Sequence, residues 1–308
     1  MSKVVIAIPS FRRPKGLSRL LDAVAALTTD ADVTVLVADN DMEKREAMAV
    51  CAEYRARYRW PLDSIVVEER GIASVRNALV AHILDRHDCD FVAMIDDDEM
   101  PEPTWLTEHL RMQRQTDADA VGGTIRRVFE TDPGAWAVHC DGVSDVIYPS
   151  GLIAMLEGTG NLLLRRDLLK AMTAPWFDTA FSFTGGEDKD FFVRAKAVGA
   201  RFAWAAEAVV NDFVPASRAN LRWALHRAYS AGNSDMRVFL KHRPHLRDML
   251  GEAARIVAAV LLNPLLFAIL AFNPNRRVRP LRKLARAFGK IAAIGGRTYQ
   301  EYSVIHGQ

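Results

Sequence analysis

The sequence predicts an α/β fold: a mainly parallel central sheet flanked by helices. Two observations carry this. Short β-branched runs alternate with helix-period segments through the first third of the chain, and such alternation implies parallel pairing through right-handed crossovers. The runs also end on the same residue types, Pro-Ser or Asp, which places polar groups together beyond the carboxyl ends of the strands. That is where ligands sit in open α/β sheets.

Val4–Ile8 is a β-branched run ending at Pro9 and reads as a buried strand. Leu17, Leu20, Leu21, Val24 and Leu27 follow at helical spacing, with Pro14 near the start. Val33–Val37 predicts a second strand, ending at Asp39, and residues 43–58 a second helix. Ile65–Val67 predicts a third strand and Ile72–Leu84, after Gly71, a third helix. Phe91–Ile95 predicts a fourth strand, closed by Asp96-Asp97-Asp98-Glu99. Beyond it the pattern loosens. Val121–Phe129 and Asn161–Leu164 read as strands, 131–157 as loop, Asp188–Val198 as a helix, 201–214 as strand and Ala219–Leu240 as a helix.

The composition bounds what the chain does. Its 308 residues are 50% hydrophobic and 25% charged, which excludes wholesale disorder and collagen-like repeats. The length suits two domains or one large α/β domain. Forty basic against 38 acidic residues leave a net charge of +2, so no global field points to nucleic acid. Cys51, Cys89 and Cys140 form no C-x-x-C pair, which argues against a disulfide framework or a structural zinc site. The apolar run near the N-terminus is too short for a secretory signal, so the bulk of the protein is expected to face the cytoplasm. The eight histidines show no metal-ligand spacing, and His82 reads as a packing or surface residue.

Three consecutive carboxylates, Asp96, Asp97 and Asp98, repel one another, so a compensating cation is attractive. Mg²⁺ or Mn²⁺ suits them, since these ions use one or two carboxylates plus substrate phosphates. The plain alternative is a solvated acidic turn. Gly185-Gly186-Glu187-Asp188 places acids where a loop enters a helix; capping and helix-dipole stabilisation are the ordinary reading. The glycine pair suggests close approach of a substrate, and a carboxylate there suits a general base. Arg12, Arg13, Arg76, Arg218 and Arg227 are candidate anion contacts, with Arg12, just past the first strand, favoured for phosphate. P-loop, dinucleotide and hydrolase-elbow motifs are absent from the sequence.

In register over roughly residues 3–240, these pieces resemble family 2 glycosyltransferases of the GT-A fold. Val4 through Pro9-Ser10-Phe11-Arg12-Arg13 is similar to the family's first strand and nucleotide-binding turn, Asp39 to the acid that reads the nucleobase, and Gly71 through Arg76-Asn77 to its G-x-x-x-x-R-N segment. Asp96-Asp97-Asp98 resembles the D-x-D metal motif and Glu187-Asp188 the E-D catalytic motif. The Arg-Arg-Pro turn and Pro215-Ala216-Ser217-Arg218 further resemble bacterial exopolysaccharide glycosyltransferases of the succinoglycan type.

The resemblance implies inverting sugar transfer from a UDP-sugar to a glycan acceptor, lipid-linked, with Mn²⁺ or Mg²⁺ as cofactor. It implies Asp188, with Glu187 as fallback, as catalytic base. Pro9, Ser10, Arg12, Asp39, Arg76, Asp96 and Asp97 are expected to hold the donor, and Asp96 and Asp98 the metal. Some relatives supply a histidine ligand where this chain has Val209-Val210-Asn211-Asp212, so Asp212 or water is left to complete the shell. A sugar-1-phosphate nucleotidyltransferase is the alternative, disfavoured because the first turn holds no glycine before Gly16. A non-catalytic membrane-tethered scaffold is a second, against which the intact acid set argues.

The catalytic domain is expected to span 1–240 and a helical, membrane-associating segment 241–308. Ile256–Phe272 carries no charge over seventeen residues, short of the roughly 20 of a spanning helix. Pro264 at its centre is expected to break it into a re-entrant or interfacial hairpin. Arg276, Arg277, Arg279, Arg282, Lys283, Arg286 and Lys290 follow, with apolar residues at helical spacing. That combination suits the anionic cytoplasmic face of the cell membrane.

Overall fold

The computed structural model describes residues 1–137, 140, 144–273 and 275–299. Strands β1 (Lys3–Ser10), β2 (Asp32–Asp39), β3 (Leu62–Val66) and β4 (Phe91–Ile95) run parallel in the order β3-β2-β1-β4. Helices α1 (Pro14–Ala25), α2 (Glu46–Arg55) and α3 (Ile72–Arg86) connect them. Beyond β4 the sheet is mixed. β8 (Asn161–Arg165), which runs on into α5 (Arg166–Ala171), is antiparallel to β4 and β6 (Ala120–Phe129), and β9 (Phe202–Val214) is parallel to β6. β5 (Glu99–Pro101) and β7 (Gly151–Ile153) pair antiparallel with β9. The expected mainly parallel order holds through β1–β4 and again in the β6–β9 pair, with antiparallel strands between and beside them; β7 lies inside the stretch expected to be loop.

Alternation along β1 builds both faces of the core. Val4, Ile6 and Ile8 pack with Leu17, Leu20 and Leu21 of α1 and with Trp105 of α4 (Trp105–Thr116). Val5 and Ala7 pack with Leu79 of α3 and with Phe191 and Phe192 of α6 (Glu187–Ala197). A strand buried on both faces needs an unbroken apolar run, which is why β1 shows no polar alternation. Helix α2 starts later than expected because residues 41–44 form a turn: Asp39 accepts hydrogen bonds from the Asp41 and Met48 amides. β3 starts earlier, because polar Asp63 and Ser64 still pair with Leu36 and Val37 at the sheet edge.

Helix α7 (Leu221–Lys241) is capped by Asn220, whose side chain accepts from the Trp223 amide. α8 (Leu246–Ile269) runs unbroken through Pro264, so the expected break at Asn263-Pro264 does not occur. The Asn263 side chain donates to the Ala259 carbonyl one turn back, a polar brace beside the proline. α8 is long and apolar enough to cross a membrane, by length and composition. α9 (Val278–Ile294) lies backbone to backbone against α7: a Cβ on Gly289 would meet the Tyr229 carbonyl at 2.0 Å. Arg286 and Lys290 pair with Asp235 of α7 and Glu252 of α8, so part of the basic set is spent on internal ties.

One buried polar network joins α4 to the sheet. Asn161 Oδ1 accepts from Trp105 Nε1 and His109 Nε2, and its amide donates to the Thr124 and Ala208 carbonyls. His109 is fully buried, which lowers its pKa from 6.5 to about 4 against the pull of Asn161. Between those values the unfolded chain binds a proton that the folded chain does not, so stability falls as pH drops from 6.5 to 4. The loss should approach about 3 kcal/mol. Urea denaturation at stepped pH should show this slope, flattened in His109→Gln.

Candidate active site

The carboxyl ends of β1, β2 and β4 open on one side of the sheet, and the register sets Ser10 beside Asp39. Two clusters form there. In the first, Arg12, at φ 53°, donates to both oxygens of Asp41 and pairs with Glu43. Asp39 is fully buried; burial raises its pKa while the Asp41, Met48 and Ala47 amides oppose the rise. Pro9, buried one residue before the end of β1, lies in register with Ala38, next to the Ser10–Asp39 pair. Arg12 is thus engaged with carboxylates of the β2–α2 turn, and of this pair of neighbours Arg13 is the one that reaches the acid turn.

The second cluster is the acid turn itself. Asp97 is buried, and accepts from Ser10 Oγ at 2.8 Å, the Phe11 amide at 3.3 Å and Arg13 at 3.0 Å. Its carboxylate fastens the β1 turn to the end of β4. Burial, with Asp98 adding, pushes its pKa up to about 6, against Arg13 and Ser10. Asp98 is a quarter exposed and pairs with Arg13 at 2.7 Å and Arg218 at 3.8 Å. Asp96 is one-third exposed and pairs with Arg76 at 3.0 Å.

Gly185 and Gly186 take φ 73° and 104°, left-handed values that favour glycine, and turn the chain into α6. Glu187 then enters the core beside Arg76, which it meets at 2.6 Å. Arg76 therefore joins the acid turn to the start of α6, two segments far apart in sequence. Burial and the neighbouring Asp188 push Glu187 up to about 7, with Arg76 opposing, and one Glu187 oxygen has no hydrogen-bond partner. Asp188 is less buried than Glu187, and accepts from the Lys189 amide at 2.7 Å. Burial raises its pKa, and Arg76, Lys189 and Arg227 lower it.

Three contributors escaped the sequence reading. Glu99, the fourth acid of the run, is buried in β5, and burial with Asp96 and Asp98 holds its pKa well above the usual range. Its position inside the acid run was the available signal. Arg127 on β6 is paired with Asp212, which takes Asp212 up and leaves it spoken for. Asp41 is the partner of Arg12, and its place just past the β2 end was the clue.

The donor set fits a hard divalent ion. Asp96 Oδ2 and both Glu99 oxygens lie over the bare face of Gly160, where a Cβ would meet them at 2.8 to 3.0 Å. All the groups are oxygens, the chemistry that Mg²⁺ and Mn²⁺ prefer. Among the described residues the acid turn does not bring ligand atoms of three separate residues within 4.8 Å of one another. An ion there would rest on one or two carboxylates and take its other ligands from diphosphate and water.

The Arg76 bridge is buried and its guanidinium faces two carboxylates. Arg76→Met should lower the unfolding free energy by about 3–5 kcal/mol, because it strands buried charge. Arg76→Lys should recover only part of it, since a point charge does not reproduce the fork. Urea unfolding of the three proteins checks this.

The chain matches "Glycosyltransferase like family 2" over residues 2–230. It is 32% identical over 246 residues to the succinoglycan biosynthesis protein ExoM of Rhizobium meliloti (strain 1021), covering 79% of this chain and 77% of that protein. Its fold is similar to the mannosyltransferase PcManGT from Pyrobaculum calidifontis, solved with GDP-Man and Mn²⁺: TM-score 0.63, 16% identity, 96% of this chain and 87% of that one. It is also similar to S. aureus TarS 1-349 in complex with UDP: TM-score 0.54, 15% identity, 99% and 95% of the two chains. A chain matched over three quarters of its length, with this sheet order and these strand-end acids, belongs to glycosyltransferase family 2 and is a glycosyltransferase of GT-A-like fold.

Proposed function

We propose that the protein transfers a sugar from a UDP-sugar to a hydroxyl of a glycan acceptor, with inversion at the anomeric carbon. The step serves bacterial exopolysaccharide assembly. The observation that carries this is the Arg76 bridge, which sets the Asp96–Asp98 turn beside the Glu187-Asp188 helix start. Likeness to a succinoglycan biosynthesis protein and to a transferase fold solved with UDP supports the substrate class.

In this reading Asp39 recognises the nucleobase, its orientation set by the Asp41 and Met48 amides. Ser10 and Asp97 fix the turn beneath the donor, while Arg13 and Arg218 supply positive charge beside the diphosphate. A divalent ion, Mn²⁺ or Mg²⁺, would be held by Asp98 and Asp96 and would stabilise the charge of the leaving diphosphate. Asp188 takes the acceptor proton. The acceptor oxygen bonds to the anomeric carbon, the bond to the diphosphate breaks, and its electron pair leaves with UDP. Partial burial raises the Asp188 pKa and makes the ionised carboxylate a stronger base. Glu187 is already committed to Arg76, so Asp188 is the better base.

Calorimetry and turnover with UDP- and GDP-sugars, with and without Mn²⁺, test the reading. UDP-sugars should bind in a metal-dependent way. Asp188→Asn should keep donor binding and lose transfer by 10²-fold or more, on the order expected for a general base. Asp98→Asn should lose metal-dependent turnover with the fold intact. Near-normal activity in either variant, or a preference for GDP-sugars, would reassign the roles.

Residues 1–240 form the catalytic unit in this proposal, and 241–308 hold it on the cytoplasmic face of the cell membrane, near a lipid-linked acceptor. The support is the exposed apolar face of α8, with Val257, Leu261, Leu262, Leu265 and Ile269 open to solvent, beside the basic α9. The full chain should sediment with anionic liposomes. Leu261→Glu combined with Leu265→Glu should release it into the supernatant; a wild-type chain that ignores such liposomes sinks the idea.

A further inference from the structure

The acid turn is not the only place where ligand atoms converge. The eight histidines carry no metal spacing along the sequence, yet the fold closes His82 and His87 on Asp63. Among the described residues these three form the one group of His, Cys, Asp or Glu whose ligand atoms all lie within 4.8 Å of one another. They come from three segments: Asp63 from β3, His82 from the last turns of α3, and His87 from the turn into β4. Asp63 lies near the start of β3 and His87 ahead of β4, at the opposite end of the sheet from the acid turn.

Each group is aimed by its own backbone setting. The His87 amide donates to the Ile83 carbonyl and ends the helix there. Asp63 Oδ1 accepts from the Ser64 amide at 2.7 Å, which leaves Oδ2 facing His82 Nε2 at 3.6 Å, beyond hydrogen-bond reach. The two imidazoles lie 5.6 Å apart between centroids. Nε2 of both histidines is shielded from solvent and has no hydrogen-bond partner. Buried polar atoms are normally satisfied, and two orphaned imidazole nitrogens beside a free carboxylate oxygen are an unusual concentration.

We infer that Asp63, His82 and His87 form a second cation site, for a transition metal of the Zn²⁺ class, separate from the divalent site of sugar transfer. Imidazole nitrogen selects Zn²⁺, Ni²⁺ or Cu²⁺ over Mg²⁺, and two histidines with one carboxylate are a recurrent ligand set. In a tetrahedral site, Zn–N and Zn–O bonds of about 2.0–2.2 Å set ligand atoms roughly 3.3–3.6 Å apart; Asp63 Oδ2 and His82 Nε2 already stand 3.6 Å apart, and small side-chain rotations close the site. The ion satisfies both orphaned nitrogens. It clamps β3 to the carboxyl end of α3, the helix that carries Arg76 at its other end. The site is a structural brace and takes no part in the transfer step.

The experiment uses the full-length chain, free of any affinity tag and stripped with EDTA. Zn²⁺ titration by calorimetry should show one tight site, and thermal melting should rise with added Zn²⁺. Co²⁺ as a probe should give visible absorption bands that Zn²⁺ abolishes. His82→Gln and His87→Gln should each weaken Zn²⁺ binding by at least about tenfold. Their melting in EDTA should match the unsubstituted chain. If His87→Gln does not fold, His82→Gln and Asp63→Asn carry the test. Asp98→Asn should bind Zn²⁺ as the unsubstituted chain does. Absence of Zn²⁺ binding, undiminished binding in both histidine variants, or loss of binding in Asp98→Asn alone overturns the assignment.

Discussion

The site depends on one buried arginine. Arg76 sits in the first turns of α3, where the sheet order brings the start of that helix against the end of β4 and the start of α6. Its guanidinium holds Asp96 on one side and Glu187 on the other. Without that cation, the mutual repulsion of Asp96, Glu187 and Asp188 would go unanswered and would drive protons onto them or the segments apart. The planar fork of arginine matters, since it presents separate N–H groups to two carboxylates at once. A chain that must keep several acids close and mostly ionised has few other ways to do so.

The same logic extends outward. Arg13 answers Asp97 and Asp98, and Arg127 answers Asp212. Arg218 reaches Asp98 from beyond β9. The arginines are distributed so that the most exposed acids, Asp96 and Asp98, retain surface toward solvent, while Asp97 and Glu187 are sealed in. Burial therefore sorts acids of similar chemistry into supports and groups available to a ligand. The sealed ones have raised pKa values because desolvation outweighs their partners, and they act through position rather than charge.

Much of this was legible in the sequence, for identifiable reasons. β1 and β4 are uninterrupted apolar runs with polar ends, and burial on both faces leaves no other pattern available. The acids at strand ends announce themselves because they follow directly on apolar runs, where a change to charge marks the rim of the sheet. What was not legible depended on pairing across distance. Nothing local says that Arg12, at a positive φ, turns to Asp41 while Arg13 turns to the acid turn. Nothing local shows Glu99 buried in a short strand beside β9, or His82 meeting His87 and Asp63. Pro264 misled for the opposite reason: the local rule is sound, but a helix of this length tolerates one missing amide bond and continues on both sides of the proline.

The C-terminal helices bear on the site through α6. Asp190, fully buried one turn into that helix, is met by Arg194 within α6 and by Lys241 and His242 at the end of α7. Lys189, next to Asp188, pairs with Asp235 of α7, which in turn pairs with Arg286 of α9. α9 itself is pinned on α7 by the close approach at Gly232 and Gly289, where no side chain fits between the backbones. The start of α6 is thus held from below by Arg76 and from the side by α7, and α7 is held by α9. A displacement of α9 against α7 would have to pull on Asp235, and through it on the residue beside Asp188. The apolar tail and the acid cluster are therefore mechanically continuous, whatever surface the tail rests on.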